Sequence, residues 1–166
     1  MLTKNGYAAM AAKMLSNARD FSVRKTDGTT ATWYPSSGFK PFSDIKYLKT
    51  YITSSGVVLG TGNTPATLDD YKLAGEIITT FTYTASATSQ ETDKGYECTA
   101  TYSITNNGTA SFTISEIALM GTYYTNDSTG NGSFLVDRTV LDTPVTIPAG
   151  GIGQVTYTIR MNYPTV

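Results

Sequence analysis

From Gly75 onward the chain reads as a succession of strands, and in several of its runs apolar residues recur at every second position. The run "EIITTFTYTASA" carries Ile77, Phe81 and Tyr83, and "YECTATYSI" carries Tyr96, Cys98, Ala100, Tyr102 and Ile104. In "QVTYTIRMNY" the set is Val155, Tyr157, Ile159, Met161 and Tyr163. A period of two places each set on one face of a strand and leaves the other face to water. One-sided alternation belongs to antiparallel sheets, whereas buried parallel strands read as continuous apolar runs. The pattern therefore predicts an all-β antiparallel β-sandwich, and the 30 threonines and 12 tyrosines suit a half-buried pleated surface. At 166 residues the chain is long enough for one sizeable core.

The amino-terminal stretch has a different period. Over residues 2–18, Tyr7, Met10, Ala11, Met14 and Leu15 fall on one stripe of a helix. A helix this short is marginal in water alone, so the stripe must dock on its own sheet or on a neighbouring subunit. Residues 1–19 are thus read as a short amphipathic helix or anchor, and 20–166 as the β-sandwich domain.

Two short alternating runs flank Asp27 and Gly28 in "FSVRKTDGTTATWYP", which predicts a hairpin. The prolines of "PSSGFKPF" predict an irregular loop in which Phe39 and Phe42 cap the core or meet a partner. Residues 45–59 fit strands split near Ser54 to Gly56, although Ile45, Leu48 and Ile52 also fit a helix. The Gly-x-Gly of "GTGNTPATLDDYKL" lacks the third glycine of a dinucleotide site and the lysine of a phosphate loop, so it reads as a connection. Asp69 and Asp70 are expected to cap a short helical turn through Tyr71 and Leu73.

In "NNGTASFTISEIALMG" the alternation through Phe112 and Ile114 changes phase at Glu116 and resumes with Ile117 and Leu119. A β-bulge at Ser115 and Glu116 would produce that break. Arg138, in "LVDRTVL", is the natural counter-charge if the two strands pair, through a bidentate carboxylate–guanidinium contact of structural purpose. The Gly-, Asn- and Ser-rich stretch from Gly121 to Ser133 predicts an exposed loop with Tyr123 and Tyr124 at its base, residues suited to an interface. Tyr7, Met10, Met14 and Leu15 are the other candidate interface residues.

Several classes of chemistry find no support. A formal net charge of −1, with no basic run longer than Arg24 and Lys25, gives no field for nucleic acid. With no histidine and one cysteine, Cys98, a His-bearing triad, an internal disulfide and the usual zinc sites are excluded. Cys98 reads as an inert thiol of the apolar face. No segment approaches a membrane span, and "GYAAMAAKML" is not a secretory h-region. No catalytic residue, metal ligand or cofactor is expected.

The order "GVVLGTGNTPATLDDYKL", "TATYSITNNGTASFTISEIALMG" and "FLVDRTVLDTPVTIPAGGIGQVTYTIRMNYP", spanning residues 56–164, resembles small structural proteins of tailed bacteriophages that sit among head and tail components. The helix and hairpin lie outside the resemblance. The shorter elements "NNGTASFTI" and "VTIPAGGIGQVTYTI" are also similar to strand–turn–strand patterns of immunoglobulin-like domains in bacterial surface proteins. The sandwich is accordingly expected to be immunoglobulin-like or jelly-roll. The resemblance implies a non-enzymatic virion protein, made in the host cytoplasm and present in several copies. It would contact other virion proteins and copies of itself in capsid decoration, head–tail joining or fibre attachment. The alternative is an adhesive or carbohydrate-binding module recognising a host glycan through the Tyr123 and Tyr124 loop.

Overall fold

A computed structural model describes residues 1–14, 21–33, 56–124 and 131–162; the side chains of Met14, Cys98, Tyr123 and Tyr124 are outside that description. Leu15, the loop at 35–42 and the expected strands at 45–55 likewise lie outside the described residues. The chain is mostly β, with one short helix among the described residues and antiparallel pairing in its sheets, and it divides into two compact units.

The first unit holds α1 (Lys4–Met14), β1 (Phe21–Arg24), β2 (Thr30–Trp33), β3 (Val57–Gly60), β4 (Ile77–Ile78) and most of β7 (Phe112–Tyr124) and β8 (Asn131–Ile147). Its four-stranded sheet has the order β4-β3-β7-β8, and β1 and β2 form a separate hairpin. The hairpin turn is where the sequence predicts it. Gly28 takes a φ of 87°, open to glycine at no steric cost, and Asp27 accepts hydrogen bonds from the Thr29 amide and hydroxyl. Those bonds, the hydroxyl's first, hold the Asp27 pKa at about 2.

α1 begins at a cap that also ties it to the sheet. The Thr3 hydroxyl accepts from the Gly6 amide at 3.2 Å and donates to the Leu135 carbonyl at 2.7 Å, while the Thr3 amide donates to Val136. Two members of the predicted stripe, Tyr7 and Met10, do not make the inward face. Thr3, Asn5, Gly6 and Ala9 are buried, Met10 is half-buried and Tyr7 is 56% exposed. The reason is proximity: a Cβ at Gly6 would overlap the Val136 carbonyl oxygen, so only small residues fit where the helix lies on β8. Asn5 completes the docking. Its side-chain amide exchanges two hydrogen bonds with the backbone of Arg24, at 2.7 and 2.8 Å, as a strand residue would.

The second unit holds β5 (Phe81–Thr92), β6 (Gly95–Asn106) and β9 (Ile152–Asn162), in the order β5-β6-β9. The register is unbroken, twelve pairs from Phe81↔Asn106 to Thr92↔Gly95 and eleven from Gly95↔Asn162 to Thr105↔Ile152. Alternation is realised as predicted on the central strand, where Ala100, Tyr102 and Ile104 are buried and Tyr102 meets Tyr83 and Tyr157 edge to face. Asn106 ends β6 as a buried knot. Its Nδ2 donates to the carbonyls of Ala110, Ile147 and Pro148, and its Oδ1 accepts from Gly108, so one amide satisfies two turns.

Two substitutions test these contacts by chemical denaturation. Gly6→Val should destabilise the protein by about 1–3 kcal/mol, because the side chain must push the helix off β8. Asn106→Leu should cost about 1–3 kcal/mol by leaving the Ile147 carbonyl buried without a donor. An unchanged midpoint in either variant would contradict the packing described.

Candidate functional site

The most densely built polar site is at Glu116 and Arg138, on the neighbouring strands β7 and β8. Arg138 Nε donates to Glu116 Oε2 at 2.7 Å, with side-chain exposures of 2% and 0%. Two charges removed this far from water are tolerated only when the remaining donors and lone pairs are also satisfied. Here they are. Glu116 Oε1 accepts from the amides of Gly62 and Gly75 at 2.9 and 2.7 Å, and Oε2 also accepts from Ala74 at 3.1 Å. Arg138 Nη1 donates to Asp70 Oδ2 at 2.8 Å, and Nη2 donates to the Thr64 carbonyl at 2.9 Å.

The geometry corrects one expectation. The contact is not bidentate, because backbone amides occupy the lone pairs of Glu116 that a second guanidinium nitrogen would need; the guanidinium instead bridges Glu116 and Asp70. Opposite β3, four one-to-one pairs run from Val57↔Leu119 to Gly60↔Glu116, where this register ends. Ile117 and Leu119 are buried on one face and Glu116 and Ala118 on the other, so this stretch of β7 has no wet side.

The loop from Thr61 to Glu76 is arranged around the pair. Its ends are joined by Thr61 N donating to the Glu76 carbonyl and Glu76 N donating to Thr61 Oγ1. A Cβ at Gly62 would collide with the Glu116 carboxylate and with the Gly75 amide, which explains the glycine at that position. Asp70 is not at the start of a helical turn. It accepts from the Thr67 amide and hydroxyl, both at 2.9 Å, closing a tight turn that presents its other contacts to Arg138. The Arg24 guanidinium lies 3.8 Å from the Tyr71 ring centroid, linking the loop to the β1–β2 hairpin.

Burial pushes the pKa of Glu116 up, but donation from Gly75, Ala74, Arg138 and Gly62 outweighs it and holds the carboxyl below its ordinary value. Asp70 behaves alike, burial being outweighed by Thr67 and Arg138. Burial pushes Arg138 down, and its two carboxylates more than restore it. The arrangement stabilises the charged form of every member and offers no proton donor or acceptor poised near neutrality.

Among the other residues singled out in the sequence, Tyr7 stands exposed on α1 and Met10 is half-buried beside it. β7 runs through Tyr124 and β8 begins at Asn131, so Tyr123 and Tyr124 are strand residues rather than loop residues. Among the described residues, no group of three His, Cys, Asp or Glu side chains could hold a metal ion, and no helix is long and apolar enough to cross a membrane. Sequence reasoning missed Asp70 and the glycines as parts of the Glu116 site. The clustering of Gly60, Gly62 and Gly75 around two acidic residues in one connection was the available signal. No protein-family model, curated protein or solved structure matches the chain.

Three measurements check the site. Glu116→Gln should destabilise by about 3–5 kcal/mol, since its amide group must face a donor on either side and leaves Arg138 under-compensated. Arg138→Met combined with Glu116→Leu should cost less than the sum of the single changes. Acid should act through the same groups. Both native carboxyl pKa values lie below their ordinary 3.8 and 4.5, so the stabilisation is complete above that range and lost as pH falls through the lowered native values. Glu116→Gln should therefore flatten the acid limb of a stability–pH curve, and an unchanged slope would assign acid sensitivity to other groups.

Proposed function

We propose that this chain is a non-enzymatic structural protein of a tailed-bacteriophage virion, acting by protein–protein contact in the head, collar or tail. The observation that carries the reading is the commitment of Glu116, Asp70 and Arg138 to one another and to loop backbone. The most elaborate polar construction among the described residues supports a surface rather than opening onto one. Its chemistry serves shape.

Composition and the order of strand motifs support the same reading. The long regular strands suit a β-sandwich of immunoglobulin-like or jelly-roll type, a body that can be repeated many times in a particle. Partners are then other virion proteins and copies of the same chain, and the place of action is the particle after synthesis in the host cytoplasm. Tyr7 offers large amphipathic area at low entropic cost for such contacts.

The test is to raise an antibody against the purified chain and apply it, with mass spectrometry, to particles separated into heads and tails. The chain should appear at a fixed stoichiometry in one fraction and decorate one location in immuno-electron micrographs. Its absence from purified particles would overturn the proposal. Particles that assemble without it but no longer adsorb to cells would favour a host-glycan-binding module.

A further inference from the structure

The strands at the margins of the two sheets are treated very differently. In the first unit, β4 is only two residues long, and β8 is met by Leu2 at Asp137 and by Lys25 at Phe134 through isolated antiparallel bridges. Both devices keep an edge from pairing with another chain. β9 in the second unit exposes only every second residue and carries Arg160, paired with Glu97.

Among the described residues, β5 has none of these protections. It runs twelve residues in unbroken register with β6, without a bulge, proline or lysine, and Glu91 is its one charged residue. Of the twelve, Ala87 alone is buried, Phe81 and Thr92 are half-buried, and the other nine are exposed on both faces. No described strand pairs with its outer side. A long edge of this kind presents a row of free amides and carbonyls to any extended partner.

We propose that β5 is a self-pairing edge, joined antiparallel to β5 of a second copy to make one continuous six-stranded sheet. The strand is self-complementary under a two-fold axis. Centred on Ser86, Thr84 faces Thr88 and Ala85 faces Ala87 of the second copy, and cross-strand threonine pairs are favourable. Glu91 then faces Phe81, so the two Glu91 carboxylates are at opposite ends of the contact. A two-fold axis perpendicular to the sheet keeps the Tyr102 face of both copies on one side and the threonine face on the other. Eleven facing pairs supply about ten main-chain hydrogen bonds, the number a standard protein interface carries. Because the pairing is isologous it closes at two copies.

The inference rests on the assembly reading and specifies its contact. Sedimentation of the full chain should give a dimer, and amide exchange on β5 should slow as concentration enters the dimer range. Thr84→Lys with Thr88→Lys sets ammonium against ammonium across the axis and should raise the dissociation constant about tenfold. Mixing that variant with Thr84→Glu, Thr88→Glu should restore pairing as a heterodimer. A chain that stays monomeric up to about 1 mM, the limit of weak association, would overturn the proposal. So would a dimer whose β5 amides exchange as in the monomer, or growth beyond two copies through β5. The exchange measurement uses unaltered protein and decides the matter even if the lysine variant misfolds. A dimer that is missing from particles would sink the assembly reading and leave this contact standing, whereas free β5 amides in a dimer would do the reverse.

Discussion

The buried pair of Glu116 and Arg138 is the constraint on which the first unit depends. Replacing such a pair with apolar residues of equal volume is often neutral or stabilising, so the ion pair is not explained by its own attraction. The explanation lies in what surrounds it. The connection from β3 to β4 has no regular secondary structure to satisfy its backbone, yet it packs against the sheet. Three of its amides end on Glu116 and two of its carbonyls, those of Thr64 and Pro65, on Arg138. An apolar pair would leave those groups buried and unpaired, each costing about 1–3 kcal/mol. The charges are retained because the loop needs acceptors and donors at fixed places.

Asn106 does with a neutral amide what Glu116 and Arg138 do with charge. Two turns, at 107–111 and 147–151, meet at the end of β6, where their carbonyls would otherwise face apolar surroundings. The side chain converges on three of them, and its main chain exchanges two more hydrogen bonds, with Gly151 and Gly150. In each unit, one buried polar residue at a strand position organises connections distant in sequence. The currency differs with the need: the β3–β4 loop presents mainly amides and so meets a carboxylate, while the turns present carbonyls and so meet an amide donor.

These two solutions separate what could be read from the sequence from what could not. Strands β5, β6 and β9 were legible because their signal is local, a period of two sustained over many residues. The β1–β2 turn was legible for the same reason, since Asp27 and Gly28 dictate a conformation to their immediate neighbours. Glu116 and Arg138 were recognisable as partners because a charge inside an apolar strand demands a counter-charge. The amides of Gly62, Ala74 and Gly75 were invisible: a glycine beside a carboxylate is a long-range steric fact that leaves no periodicity. The helix misled in an instructive way. Tyr7 and Met10 suggested a buried stripe, but the close approach to β8 selects the small residues Gly6 and Ala9 there.

That inversion bears on what the amino-terminal segment can do. A helix buried by its bulky stripe would have spent its apolar surface internally, and one designed only for another subunit would lack contacts with its own sheet. α1 has extensive internal contacts through Thr3, Asn5, Gly6 and Ala9, while Tyr7 points outward. These contacts hold the helix in one place, and such preorganisation would lower the entropy lost if an exposed aromatic residue were captured by a partner. Docking on its own sheet and contact with a partner are therefore compatible, because Tyr7 lies outside the docked face.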